Sequence, residues 1–315
     1  MSLFNGLLLI NKDRDCSSHQ VVHEIRKILN QRSIGHAGTL DPLAKGLLII
    51  LCGSATKLSS YFINQNKRYN LSLKFGLQTD TFDLEGKVLN SKEVSLKPED
   101  IKKVLKQNTC DLEIPVPIFS AVKVKGRKLY SYAFKDQKID LPLKKMSFWD
   151  LEIHDIKKDS ARLSISCSKG SYIRAWVNHL GQNIKTGACL TELTRVSSGD
   201  FELKNSLTLS ELKQKVSQQF PTDENRLKQI LEESFLFSNS ALSQFSQIEL
   251  TERNAKILKQ GNLPDYILSQ LEKDQIAVNK KGQAQILKVV KAQKLLALLE
   301  IKPFEKIKIL RNFPY

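Results

Sequence analysis

Apolar positions along the chain follow two rhythms, and their alternation predicts the elements. Residues 7–10 are a short apolar run read as a buried strand. Over residues 17–30, Val21, Val22, Ile25, Ile28 and Leu29 recur on one helical face, and Ser17 and Gln20 have capping-box spacing. The unbroken apolar run at residues 47–51 reads as a central strand covered on both faces. Tyr69, Leu71, Leu73 and Phe75 alternate with polar residues, the period of a half-buried strand. Residues 98–107 read as a helix with Pro98 in its first turn. Residues 148–156 and 162–167 read as paired strands, 174–185 as a helix ending at Gly187, and 193–196 as a further strand. Strands and helices mix without a regular βαβ beat, which predicts an α+β catalytic domain.

A polar stretch at residues 217–235 marks a boundary, giving a first domain at 1–235 and a small β-rich domain at 236–315. Within the first, residues 117–145 are dense in Lys and Arg and hold Tyr130 and Tyr132. The chain has 49 Lys and Arg against 33 Asp and Glu, a net charge of +16, and residues 241–315 alone carry +6. Such a field attracts polyanions, and nucleic acid is the leading partner. A basic surface kept for solubility has the same composition, so the chemistry must decide. The five cysteines include no C-x-x-C pair, which argues against a metal knuckle or a disulfide framework and points to a reducing, cytoplasmic setting. The apolar runs at residues 6–10 and 47–52 are too short for a signal-peptide core or a membrane span.

The chemistry is concentrated where Gly35, Gly38 and Gly46 surround Asp41-Pro42. Glycines allow sharp bends, and proline confines the residue before it to an extended conformation. The result is a carboxylate held rigidly in a loop. An ordinary Asp-Pro turn has the same local pattern, so local physics leaves both readings open.

Other segments accompany it in order: Lys67-Arg68-Tyr69; Thr79-Asp80-Thr81-Phe82-Asp83 after Gly76; Ser120-Ala121-Val122-Lys123, then Gly126 and Leu129-Tyr130; Cys167-Ser168-Lys169-Gly170-Ser171-Tyr172-Ile173-Arg174; and Leu193-Thr194-Arg195. Together with residues 35–44 these resemble the motifs of the TruB family of tRNA pseudouridine-55 synthases over residues 5–215, and an ordered set of motifs is far more specific than any one of them. The resemblance implies a mixed, mainly antiparallel catalytic sheet of the pseudouridine-synthase type. It implies isomerisation of a uridine in the T arm of tRNA by a monomeric enzyme with no obligatory protein partner, no cofactor and no metal. Asp41 would be the nucleophile or base, with Arg174 as its ion-pair partner. Tyr69 would lie against the uracil and accept or relay the C5 proton. Tyr172 would pack beside the base and Leu193 would close the apolar wall. His36 would hold or stack on the flipped nucleotide, and Lys12 and Lys57 would lie near the cleft in structural or phosphate roles. Residues 117–145 resemble the family's thumb-like insertion. The C-terminal part, including residues 252–262, resembles a divergent PUA-type RNA-binding domain with only Gly282 left of its glycine-rich motif.

Two rival classes fit less well. Phe82-Asp83-Leu84-Glu85-Gly86 resembles a haloacid-dehalogenase phosphatase motif, but Glu85 stands where its second Asp belongs, Lys87 where its Thr belongs, and residues 78–81 before it are polar in place of a buried strand, so this reading is rejected. A non-catalytic RNA-binding or RNA-chaperone protein would account for the charge but not for Asp41 in the company of Tyr69 and Arg174.

Overall fold

The apolar run at residues 47–51 forms the middle of a strand that is buried on both sides, and the architecture grows from it. The computed structural model describes residues 4–135, 137, 139–271, 278 and 284–313. Strands β1 (Gly6–Lys12), β2 (Ile34–His36), β3 (Lys45–Cys52), β4 (Lys67–Phe75), β7 (Asp111–Pro115), β10 (Leu143–Lys157), β11 (Ser160–Cys167), β12 (Ala188–Ser198), β13 (Phe201–Glu202) and β14 (Phe235–Phe237) make one sheet. Its spatial order is β14-β1-β3-β12-β4-β11-β10-β7, with β2 added to β3 and β13 to β12. Among the described residues of this sheet, only the β3–β12 strand pairing is parallel. Two small hairpins stand apart, β5 (Leu77–Thr79) with β6 (Val88–Ser91) and β8 (Lys123–Val124) with β9 (Arg127–Lys128).

Along β1 and β3, Leu8, Ile10, Leu48 and Ile50 enter one core while Leu7, Leu9, Leu47, Ile49 and Leu51 enter a second. The first core is closed by α1 (Ser18–Ile28), α3 (Pro98–Gln107), α5 (Ile173–Asn183) and α6 (Leu209–Gln218), with the short α2 (Ser59–Ile63), α4 (Leu129–Ala133) and α7 (Glu224–Leu231) between and after them. The second core lies between the sheet and Val290, Leu295, Leu298 and Phe313 of the C-terminal part. That part is a four-stranded sheet, β15 (Ser246–Glu249), β16 (Gln285–Lys291), β17 (Lys294–Ile301) and β18 (Lys308–Asn312), packed with α8 (Glu252–Lys259). The fold is therefore α+β, as the mixed periodicities predict. Gly282 lies outside the described residues.

Local signals held where they were strong. The Ser17–Gln20 capping box forms at the start of α1, and Pro98 opens α3. In β4 the apolar residues face the core and Arg68, Asn70, Ser72 and Lys74 face outward. β12 spans eleven residues, not the four at 193–196, because bulges at Leu190/Glu192 and Arg195/Ser197 break the period-2 alternation. β10 begins at Leu143 and pairs with β7, so residues 143–145 belong to the sheet. β14 crosses the division expected at 235/236, and its pairing with β1 adds Leu236 and Phe237 to the catalytic sheet.

Candidate active site

The loop between β2 and β3 carries Asp41, and neighbours anchor it on three sides. Ser18 Oγ accepts the Leu40 N–H at 2.9 Å and donates to the Leu40 carbonyl at 3.1 Å. The Asp15 N–H donates to the Pro42 carbonyl, and the turn closes on itself when the Ala44 N–H donates to the Asp41 carbonyl. Gly38 has φ +101°, a conformation that side-chain-bearing residues rarely adopt. The Asp41 side chain is 38% exposed, so it is fixed yet open to a ligand.

Arg174, in the first turn of α5, gathers this site. Its Nε donates to Asp41 Oδ2 at 2.8 Å and lies 3.5 Å from Asp83 Oδ2. Its Nη1 donates to the Thr81 carbonyl at 3.1 Å and its Nη2 to the Phe119 carbonyl at 3.2 Å. With only 6% of its side chain exposed, it is a buried fork tying three loops together, including the start of the Lys-rich insertion. Asp83 is the second carboxylate on that fork. Its Oδ1 accepts from Thr81 Oγ1 at 2.6 Å and from the Glu85 N–H at 3.1 Å. At 4% exposure it has no open face from which to attack a phosphoryl group, which removes the phosphatase reading.

Tyr69 and Leu193 lie in the sheet wall beside this pair, both buried. Leu193 pairs with Leu71 and Arg195 with Tyr69 across β12 and β4. Burial pushes the Tyr69 phenol up to about 12, while the neighbouring Arg195 cation pulls the other way and Asp41 adds a further upward push. Tyr172 caps α5, with the Lys144 ammonium 5.7 Å from its ring centre. Burial raises its phenol too, and Arg174 and Asp41 both act on it. Asp41, Arg174, Tyr69 and Tyr172 are thus neighbours, and Leu193 lies in the same sheet wall as Tyr69.

The remaining three expected residues divide. Lys12 is buried, its ammonium donating to the carbonyls of Asp13, Cys16 and Pro42, and it holds the Asp41 loop from behind. His36 packs edge-on against His19 at 5.6 Å, and burial lowers its imidazole, with His19 and Arg195 adding to the effect. Lys57 does not join them. It follows the far end of β3, about 23 Å of strand from Lys45 at roughly 3.3 Å per residue. There it donates to the Asn312 carbonyl at 2.7 Å and lies over the Phe313 ring, fastening the C-terminal sheet. A surface lysine and a lysine on a domain joint look alike in sequence, so nothing in the chain separated these readings. Asp83 and Arg195 join the site although the family resemblance implies no role for either. Their signal was an acid and a base in otherwise tight or apolar segments.

Among the described residues no group of three His, Cys, Asp or Glu side chains is arranged to hold a metal ion. No described helix is long and apolar enough to cross a membrane. What the site offers is one half-open carboxylate oriented by a guanidinium, two tyrosines beside it, and a basic insertion tied to the same guanidinium.

Comparison with known proteins agrees with this geometry. The chain matches the model for the TruB family pseudouridylate synthase (N terminal domain) over residues 26–173. It is 36% identical to a protein named tRNA pseudouridine synthase B from Bdellovibrio bacteriovorus, covering 99% of this chain and 98% of that one. A protein of the same name from Pediococcus pentosaceus is 35% identical over 90% of this chain and 93% of its own. The fold matches that in a Cbf5-Nop10-Gar1 complex with a TM-score of 0.68 at 18% identity, over all of this chain and 85% of that one. It also matches, at a TM-score of 0.67 and 16% identity, an H/ACA RNP bound to a substrate RNA containing 2′-deoxyuridine, over 99% and 84%. The chain belongs to the TruB family of pseudouridylate synthases.

Proposed function

We propose that the protein converts one uridine to pseudouridine in the T loop of tRNA, at position 55, using Asp41 on a base flipped out of the loop and no cofactor. The observation that carries this reading is the pair Asp41–Arg174, a half-open carboxylate held at 2.8 Å by a buried guanidinium. The reaction breaks the bond from uracil N1 to the ribose, turns the base, joins C1′ to C5 and releases the C5 hydrogen as a proton, while the freed N1 takes up a proton. Atoms are rearranged within one nucleotide, so a single carboxylate acting as nucleophile or base suffices. Arg174 pairs with Asp41 and aims it. Tyr69, Tyr172 and Leu193 receive the uracil, and the Tyr69 phenol accepts or relays the C5 proton.

The relatives' name supports tRNA as the substrate, and the net charge of +16 suits a polyanion. Asp41 is fixed in its loop beside the buried Arg174, so a base inside a folded RNA loop must be extruded to reach it, at a cost of a few kcal/mol. The lysines of residues 117–145 would grip the phosphates of the T arm while the cleft reads the base. The large sheet through β14 forms the catalytic unit of this reading, and the sheet β15–β18 with α8 a PUA-like accessory unit. The enzyme works in the cytoplasm as a monomer.

The test is incubation of the protein with an unmodified T-arm stem-loop, followed by mapping of pseudouridine. Modification at the single T-loop position is expected, and Asp41→Asn should abolish it while RNA binding persists. Unchanged modification by Asp41→Asn, or pseudouridine only outside the T loop, would overturn the assignment.

A further inference from the structure

Behind the cleft lies a charge that needs explaining. Arg195 is fully buried in β12, yet it takes part in no ion pair with a carboxylate among the described residues. Burying an isolated cation is expensive, and proteins normally pair it. Here backbone oxygens take the place of an acid: Nε donates to the Leu47 carbonyl at 2.7 Å and Nη2 to the Gly38 carbonyl at 3.2 Å. Its direct cross-strand partner is Tyr69, and its charge acts on the Tyr69 phenol. Gly46, whose Cα faces the Arg195 backbone so closely that a Cβ would stand 2.4 Å from its carbonyl oxygen, lets β3 approach at this point.

We propose that Arg195 is a positioning residue for the isomerisation, the tie that holds the Tyr69 phenol and the Asp41 loop in one fixed geometry. One guanidinium spans three separate pieces of chain. Gly38 lies three residues before Asp41 in the same loop, Leu47 fixes the strand that follows the loop, and Tyr69 supplies the opposing wall. A fork with five donors in a plane makes three such contacts at once, whereas an ammonium or an apolar side chain does not. An apolar residue would fill the volume more cheaply. The retained charge acts on the phenol, where it stabilises negative character on the oxygen and so eases the departure of the phenol's own proton when the C5 proton is relayed. His36, Lys67 and Cys167 feel the same charge, which places it at the centre of the cluster behind the site.

This inference rests on the reading that Asp41 and Tyr69 act on the uridine, and the test separates the two. Arg195→Met, Arg195→Lys, Tyr69→Phe and the double variant Arg195→Met/Tyr69→Phe are compared in single-turnover reactions with a T-arm stem-loop. Arg195→Met should lower the rate at least tenfold with RNA affinity within about twofold of the parent. Arg195→Lys should recover part of that loss, and the two losses in the double variant should be clearly less than multiplicative. An activity-independent readout uses 3-fluorotyrosine at position 69. Its ¹⁹F titration midpoint should rise by about one unit in Arg195→Met, the lower end of a neighbouring-charge effect. An unmoved ¹⁹F midpoint, or a fully multiplicative double variant, would reduce Arg195 to scaffold and overturn the proposal. If Arg195→Met does not fold, Arg195→Lys decides with the same two readouts: it should keep the fluorotyrosine midpoint while losing rate, and full parental rate would refute the positioning role. A wild-type protein that modifies no RNA sinks the functional reading instead, whatever the ¹⁹F signal does.

Discussion

Replacing Asp83 with Asn tests the arrangement of two carboxylates on one guanidinium. Asp83 touches no open part of the cleft, and its side chain is nearly sealed. Asn has almost the same shape, and its Oδ1 still accepts from Thr81 Oγ1 and the Glu85 N–H, so the substitution removes a charge and leaves the loop its bonds. At the 3.5 Å separation from Arg174 Nε the gross attraction is about 5 kcal/mol at an effective dielectric constant of 20. The amide nitrogen that takes the place of Oδ2 cannot accept from the guanidinium, so that contact is lost, and a hydrogen bond to a charged group is worth about 1.5–3 kcal/mol net. Arg174 keeps Asp41 and two carbonyls, so it is not stranded, and the stability loss should stay below the roughly 3–5 kcal/mol of an abandoned buried charge. The larger effect falls on Asp41. Released from sharing, Nε binds Asp41 alone, and a carboxylate held too tightly is a poorer nucleophile or base.

The expected loss is roughly 10- to 100-fold in the rate of isomerisation, the same 1.5–3 kcal/mol expressed as a rate. The assay is single-turnover release of tritium from RNA carrying [5-³H]uridine, since C5 loses its hydrogen in the reaction, with RNA affinity measured separately by filter binding. Affinity should stay within about twofold. An unchanged rate refutes the argument, as does a loss that appears only as weaker RNA binding.

Three further substitutions probe the frame. Ser18→Ala strands both the N–H and the carbonyl of Leu40, one residue before Asp41. It should cost about 1–3 kcal/mol in urea unfolding together with a drop in rate, and a stable variant of full activity would show that the loop is held otherwise. Gly46→Ala places a methyl against the Arg195 backbone at a φ of +101°. More than about 2 kcal/mol should be lost, a fall of roughly 4–8 °C in Tm, and a fall under about 2 °C would contradict the close β3–β12 approach. Burial lowers the His36 imidazole below its ordinary value of 6.5, so the unfolded chain binds the extra proton first as pH falls. This contribution to stability is therefore intact well above pH 6.5 and is lost as pH drops through that value toward the lower folded one. His36→Gln should flatten the fall of Tm between pH 7 and pH 5, and an unchanged slope would remove His36 from the cause.

What the chain discloses and what it withholds follow from the range of the contacts involved. The capping box of α1, Pro98 in α3 and the alternation in β4 are set by residues a few positions apart, and each is legible. The run at residues 47–51 is legible as apolar, but that it feeds two cores through opposite faces depends on a C-terminal sheet some 240 residues away. Asp41 stands out because its glycine and proline neighbours constrain it locally. Its partners do not, since the site is built from the pairs 41–174, 83–174 and 69–195, which only the folded sheet and α5 bring together. Read by local rules, Arg174 is a helix-surface arginine, Asp83 a turn residue and Arg195 an outward-facing strand charge; the family resemblance supplied Arg174, and had no comparable statement for the other two. Lys57 shows the converse, because a basic residue in a motif-like place was drawn toward the cleft while the fold spends it on Asn312. It follows that substitutions preserving every local pattern, such as Asp83→Asn or Arg195→Lys, should leave fold and RNA affinity nearly intact and still slow the chemistry. That dissociation is what a site assembled from distant charges must show, and a site assembled from its own loop could not.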